Sequence, residues 1–267
     1  MATPVIAIAV PHGPDSPRRV ADEKEESKLA RQYREAREQL EAARPDVIIE
    51  LTSDHFVNFF LDKMPAFAVA VVDKADGPHE SWRTMPWYEI QSDRNLANSL
   101  LEYSYQVGYD LAGCEEVQLD HSALVPLHFL TPRMDIPVVP VYVRGLAYPL
   151  PTGERCYAFG KMLRQFVENY PGNQRVAVIA SGSLSLEIGG PRVDYTDEEW
   201  MALTVGAMKE GKMSRVPPQA TGERLAKAGN VAGESLNWVA AWGFLGDVKP
   251  EMLETQAGNA FATWAIR

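Results

Sequence analysis

The sequence predicts an α/β fold in which helices pack over a sheet. Short, continuous apolar runs rich in Val, Ile and Ala recur along the chain, and segments with the periodicity of surface helices stand between them. The 267 residues contain no internal repeat, low-complexity tract or long flexible linker, so residues 1–267 are expected to form a single domain.

The elements follow in order. Residues 5–10 are all apolar and end in Pro11-His12-Gly13-Pro14, which reads as a buried strand and a turn. Residues 22–44 carry Leu29, Tyr33, Ala36, Leu40 and Ala43 at alternating spacings of four and three, with charges on the other faces. That pattern is an amphipathic helix, stopped by Pro45-Asp46. Residues 47–51 form a second buried strand, and residues 69–72, 138–143 and 176–180 are further strands. Helices are expected over residues 93–108, 154–169, 195–210 and 234–244. Ser92-Asp93 opens the first of these, and Thr196 before Asp197-Glu198-Glu199 opens the third. Residues 74–92 and 144–153 are polar or Pro- and Gly-bearing loops. Residues 211–233 form a long connection rich in Gly, Lys and Pro, and ordered loops of that length are more often functional than not.

Composition narrows the function. The 26 basic against 36 acidic residues leave a net charge of −10, which excludes a broad nucleic-acid footprint because phosphate binding needs a net basic face. The six-residue run at residues 5–10 lacks a basic leader and is too short for a signal peptide or a membrane span, and later apolar runs are also far too short to span a membrane, so no membrane partner is expected. Cys114 and Cys156 form neither a C-x-x-C pair nor a zinc-knuckle spacing, and read as reduced thiols of a cytoplasmic protein.

Among five histidines, two occupy matched places: His12 follows the first strand by two residues, and His55 follows the second within Thr52-Ser53-Asp54-His55. In open α/β sheets, ligands bind in the crevice beyond the carboxyl ends of the strands. If these two strands are neighbours, both imidazoles emerge at one sheet edge. Each histidine alone reads equally as a polar loop residue. Glu234, at a helix start after Gly233, supplies a carboxylate, and by itself would read as a helix cap offsetting the macrodipole. Two neutral imidazoles and one carboxylate make the facial triad of non-haem iron(II) oxygenases. The same set suits catalytic zinc, and composition does not choose between them.

The other histidines are less telling. His121 and His128 lie on either side of Pro126, which argues against one uninterrupted helix through both. Asp120 adjoins His121 without implying an orienting pair, and His79 reads as a solvated loop residue. Ser181-Gly182-Ser183-Leu184-Ser185 gives no G-x-S-x-G elbow, and neither a P-loop nor a G-x-G-x-x-G occurs, so these glycines are expected to make a turn.

Taken together, the residues resemble the class III extradiol ring-cleaving dioxygenases, of the protocatechuate 4,5-dioxygenase catalytic-subunit type. The resemblance is carried by Pro11-His12-Gly13, Ser53-Asp54-His55-Phe56-Val57-Asn58-Phe59, Leu119-Asp120-His121-Ser122 with Val125-Pro126-Leu127, Gly182-Ser183-Leu184-Ser185 with Gly190-Pro191-Arg192, and Gly233-Glu234-Ser235-Leu236-Asn237-Trp238. It implies a three-layer α/β/α fold with a central, mostly parallel or mixed sheet, forming one catalytic domain. It implies an Fe(II) site of His12, His55 and Glu234, with His121 facing the substrate as the proton-transfer group. His128 and Leu186 are expected to line the substrate. The partners implied are a small aromatic molecule, catechol-like or aminophenol-like, and O2, in a homodimer or larger homo-oligomer.

Two departures stand out. Aligned on Gly190-Pro191-Arg192, Leu186 takes the place of the family's acid/base histidine, and a positioned acid/base contributes about 10²- to 10⁴-fold in rate. Glu187 is adjacent but points to the other side of an extended segment. Gly233 stands where relatives often carry a histidine. These departures leave open a changed reaction on the same metal site, another oxidation or metal-assisted hydrolysis, or a catalytically silent subunit.

Overall fold

The protein is described from a computed structural model that covers residues 1–23, 27–80 and 85–266. Among the described residues ten strands are found: β1 (Thr3–Val10), β2 (Val47–Thr52), β3 (Phe67–Ala70), β4 (Lys74–Gly77), β5 (Tyr88–Gln91), β6 (Ala112–Cys114), β7 (Val138–Val143), β8 (Arg175–Ser181), β9 (Met252–Gln256) and β10 (Asn259–Ala265). Eight of them make one sheet in the order β6-β3-β7-β2-β8-β1-β10-β9, while β4 and β5 pair separately as a hairpin. β7, β2, β8 and β1 run parallel to one another; β3 is antiparallel to β7 and parallel to β6, and β10 is antiparallel to both β1 and β9, so the sheet is mixed.

The helices are α1 (Ser16–Asp22), α2 (Lys28–Ala43), α3 (Arg94–Gln106), α4 (His121–Leu130), α5 (Gly153–Asn169), α6 (Glu198–Glu210), α7 (Gly222–Ala228) and α8 (Ser235–Leu245). They cover both faces of the sheet. On β2, Val47, Ile49 and Leu51 enter a core with Leu96, Phe159, Leu163, Trp200, Trp238 and Trp242 of α3, α5, α6 and α8. Ile48 points the other way, into a core with Tyr33, Leu40, Leu124 and Leu127 of α2 and α4. This period-two division, with apolar cover on both sides, is why the central strands read as unbroken apolar runs. The architecture is a three-layer α/β/α sandwich, and no described helix is long and apolar enough to cross a membrane.

Several expectations are corrected. The helix expected over residues 22–44 spans Lys28–Ala43, capped by the Ser27 side chain on the Ala30 amide; residues 24–26 lie outside the described residues. The loop expected over residues 74–92 contains the β4–β5 hairpin, and its residues 81–84 are not described. The connection 211–233 is broken into α7 and short 3₁₀ turns, because Thr221 caps α7 and two prolines at 217–218 allow only brief helical turns. β9 and β10 lie at an edge beside β1, with β9 partly exposed and too polar to mark itself as a strand. Pro126 does not end a helix: α4 runs from His121 through Leu130 with the proline inside it.

Candidate metal centre

His12 lies two residues beyond the end of β1, and His55 three beyond the end of β2. The two strands are not neighbours, because β8 lies between them. The imidazoles still meet over the end of β8, with ring centroids 5.2 Å apart, because both side chains turn inward across it. Asp120 caps α4 through the Ser122 amide, which sets His121 at the first helical position. The His121 ring lies 4.3 Å from that of His55 and 5.2 Å from that of His12, centroid to centroid.

Glu234 closes the 3₁₀ turn Ala232–Glu234 and leads into α8. Its side chain makes no cap bond. Oε1 instead stands 3.0 Å from His12 Nε2 and 3.1 Å from His55 Nε2, on a side chain 1% exposed. Backbone packing forces this placement. A Cβ at Gly182, where φ is +149°, would come within 2.9 Å of the Glu234 Cβ. A Cβ at Gly233 would lie 2.0 Å from the Gly145 carbonyl oxygen, so no larger residue fits there in this arrangement.

Hydrogen bonds fix the imidazoles from behind. His55 Nδ1 is 3.2 Å from the Ser53 carbonyl and 3.4 Å from Asp120 Oδ2, both of them acceptors. Nδ1 therefore carries a hydrogen, and Nε2 is the nitrogen turned toward Glu234. Asp120 Oδ2 also accepts the His55 amide at 2.7 Å. The Asn237 amide of α8 donates to Ser53 Oγ and to the Ser181 carbonyl, tying the helix behind Glu234 to two strand ends. His12 Nδ1 lies 2.7 Å from Ser181 Oγ.

His121 is held by Glu80, whose Oε1 accepts its backbone amide at 2.8 Å and its Nδ1–H at 2.5 Å. Asp120 serves His55 and the α4 cap. His79 is not simply solvated: its Nε2 pairs with Asp76 at 2.7 Å and its ring packs against Trp87.

Charge follows this geometry. Burial alone would raise the Glu234 and Asp120 carboxyls, but the imidazoles beside them hold both well below the usual carboxylate range. Burial alone would lower His55, and the carboxylates of Asp120 and Glu234 facing its two ring nitrogens instead lift it well above the usual imidazole value. Burial lowers His121 against the opposing pull of Glu80, which leaves it neutral at neutral pH.

A metal fits these residues. Glu234 Oε1 is buried without a hydrogen bond, and it faces the Nε2 atoms of two histidines at 3.0 and 3.1 Å. Ligand nitrogens of His12, His55 and His121 also come within 4.8 Å of one another. Acceptors gathered without a donor call for a cation, and two imidazoles with one carboxylate form a facial set with open positions.

The other sequence candidates are placed differently. His128 is seven residues, or roughly 10 Å, further along α4 than His121; its Nδ1 bonds the Tyr88 hydroxyl at 2.6 Å, outside the cluster. Leu186 lines a cavity of about 270 Å³ that also touches Pro11 and Gly13, on either side of His12. Glu187 turns away to Arg192 and the Asn230 amide. A separate cavity of about 600 Å³, lined by Asn58, Lys74 and Arg94, touches none of the clustered residues. Sequence reasoning missed Glu80 and Ser181. Nothing in the local pattern distinguishes Glu80 from a solvated loop acid.

With this geometry in place, comparison with known proteins is decisive for ancestry: residues 6–263 match the family described as the catalytic LigB subunit of aromatic ring-opening dioxygenase. The chain belongs to that family. Among relatives of this LigB-family chain, a 2,3-dihydroxyphenylpropionate/2,3-dihydroxicinnamic acid 1,2-dioxygenase of Klebsiella pneumoniae is 29% identical over 199 residues, covering 74% of the chain and 60% of the relative. A similarly named enzyme of Pseudomonas putida is 32% identical over 170 residues, covering 63% of the chain and 52% of the relative. The aligned part thus spans less than two thirds of these relatives' length. The crystal structure of an uncharacterized protein from Escherichia coli K12 superposes with a TM-score of 0.59 at 14% identity, covering 97% of this chain and 98% of that one. At that identity it supports the three-layer fold and nothing more.

Proposed function

We propose that this LigB-family chain forms one catalytic domain, a non-haem iron(II)-dependent dioxygenase acting with O2 on a catechol-like or aminophenol-like aromatic. His12, His55 and Glu234 hold the iron. The observation that carries this reading is Glu234 Oε1, buried without a donor at 3.0 and 3.1 Å from two histidine Nε2 atoms. When bound, iron(II) supplies open coordination positions for substrate and O2, and it acidifies a coordinated hydroxyl.

The chain's own residues do the rest. His121, with Nδ1–H committed to Glu80, presents Nε2 as the nitrogen that takes a proton from substrate and returns it to product. Leu186 stands where the family resemblance places a second proton-transfer group, and it offers only an apolar wall. The relatives' names extend the substrate class to catechols with an acidic side chain. Exposed Phe60 and Leu61, in the turn after His55, offer an apolar surface for homo-oligomer contact.

The test is anaerobic iron(II) loading followed by O2 uptake on catechols, aminophenols and hydroquinones, 2,3-dihydroxyphenylpropionate included. The expected result is uptake with a ring-opened chromophore, absent in Glu234→Ala. A wild-type protein that binds no metal refutes the reading. Tight iron binding without uptake on any of these aromatics transfers the site to the changed reaction that Leu186 favours.

A further inference from the structure

Ser181 ends β8, beneath the two imidazoles, and is fully buried. Its hydroxyl has a single proton. That proton goes to the Ser122 carbonyl, 2.5 Å from Oγ, because a carbonyl oxygen only accepts. With its proton committed there, Ser181 Oγ faces His12 Nδ1 at 2.7 Å as an acceptor. Nδ1 must then carry a hydrogen, which leaves Nε2 as the nitrogen turned toward Glu234 Oε1.

The Ser122 carbonyl is open to Ser181 for a reason written in the sequence. In a regular α-helix it would accept the amide hydrogen four residues on. That residue is Pro126, inside α4, which has no amide hydrogen to give. The proline that the sequence marked as a helix breaker instead leaves a helical carbonyl pointing at the strand ends. The residue also reaches the second imidazole: the Ser122 hydroxyl lies 2.6 Å from the Ser53 carbonyl, which is itself 3.2 Å from His55 Nδ1.

We propose that Ser181, oriented by the Ser122 carbonyl that Pro126 leaves unclaimed, is a positioning residue that locks His12 in the Nδ1–H tautomer and so sets the affinity of the site for a divalent metal. This rests on the reading of His12, His55 and Glu234 as metal ligands. A serine hydroxyl poised in this way differs from the carbonyl and carboxylate that hold His55. Removing its oxygen frees His12 to rotate or to exchange tautomers. Partners of this kind behind a ligating histidine typically change metal affinity 10- to 100-fold.

Two measurements on the full chain decide it. Histidine-¹⁵N-labelled, metal-free protein at neutral pH, with a His12→Asn sample to assign the ring, should show His12 protonated on Nδ1, and Ser181→Ala should lose that preference. In competition titrations with Co(II) and Zn(II), Ser181→Ala should bind about 10- to 100-fold more weakly than wild type while the metal-free protein stays folded, its melting temperature lowered only by the loss of the donor to the Ser122 carbonyl. An Nε2–H tautomer in the wild type overturns the proposal, as does a folded Ser181→Ala that binds metal within twofold of wild type. If Ser181→Ala does not fold, the wild-type tautomer decides. If the wild type binds neither metal, the ligand reading fails, and the tautomer alone decides the relay.

Discussion

Replacing Glu50 by Gln is expected to stabilise the protein by an amount that grows with pH. Glu50 sits in the middle of β2, opposite Pro140 of β7 and Ile179 of β8, and is fully buried with both carboxyl oxygens unpartnered. Burial, and then the negative charge of Asp120, push its pKa well above the ordinary 4.5. The folded protein therefore holds a neutral acid, whereas the unfolded chain ionises near 4.5. A pKa raised on folding contributes its stability fully below the unfolded value and loses it as pH rises toward the folded one. Above 4.5 the loss approaches about 1.4 kcal/mol per pH unit and continues until the folded group ionises. Against a total stability of roughly 5–15 kcal/mol, that is easily measured. Glutamine keeps the shape and does not ionise. Urea unfolding of both proteins below and above pH 4.5 should give a stability difference that is flat below about pH 4 and then climbs at that slope. A difference independent of pH would refute the account, since poorer packing or a stranded amide in the variant shifts the curve without tilting it.

The close contact of α5 and α8 gives a second prediction. A Cβ on Gly160 would lie 1.8 Å from the Ala240 carbonyl oxygen, and one on Gly243 would lie 2.0 Å from that of Tyr157. Gly160→Ala should force the helices apart at a cost of about 1–3 kcal/mol or more, lowering the melting temperature by at least about 2 °C; an unchanged melting temperature would contradict the packing. Because α8 follows directly on Glu234, the same variant should also bind metal more weakly. Leu186→His should raise catechol cleavage by about 10²- to 10⁴-fold in steady-state assays of the iron-loaded enzyme. No gain would show that position 186 does not stand where a substrate proton is moved.

How much was legible in the sequence varied with the kind of information. The buried strands could be read because each advertises its own environment: residues 47–51 are apolar apart from Glu50 since both faces of the sheet are covered. His12, His55 and Glu234 stood out as polar residues placed just past such runs. Their neighbourhood could be inferred because parallel strands carry their ends to one edge. Whether the two strands are neighbours could not be read locally, because the order of strands depends on how crossovers pack, and β8, more than a hundred residues away in sequence, inserts between them. Pro126 looked like a stop because local rules count the lost helical bond, and only the packed structure reveals Ser181, 59 residues distant, taking up the stranded carbonyl. Glu80 reaches His121 across 41 positions, and nothing in its own loop signals it. The layers, the ends of β1 and β2 and the three candidate ligands follow from local apolar pattern and residue chemistry, and so could be read along the chain. Which groups stand behind each imidazole, and how glycines at 182 and 233 make room for Glu234, emerge only when the chain is packed. Hydrogen-bond partners and close approaches are set by three-dimensional distance, which the order of residues along the chain does not record.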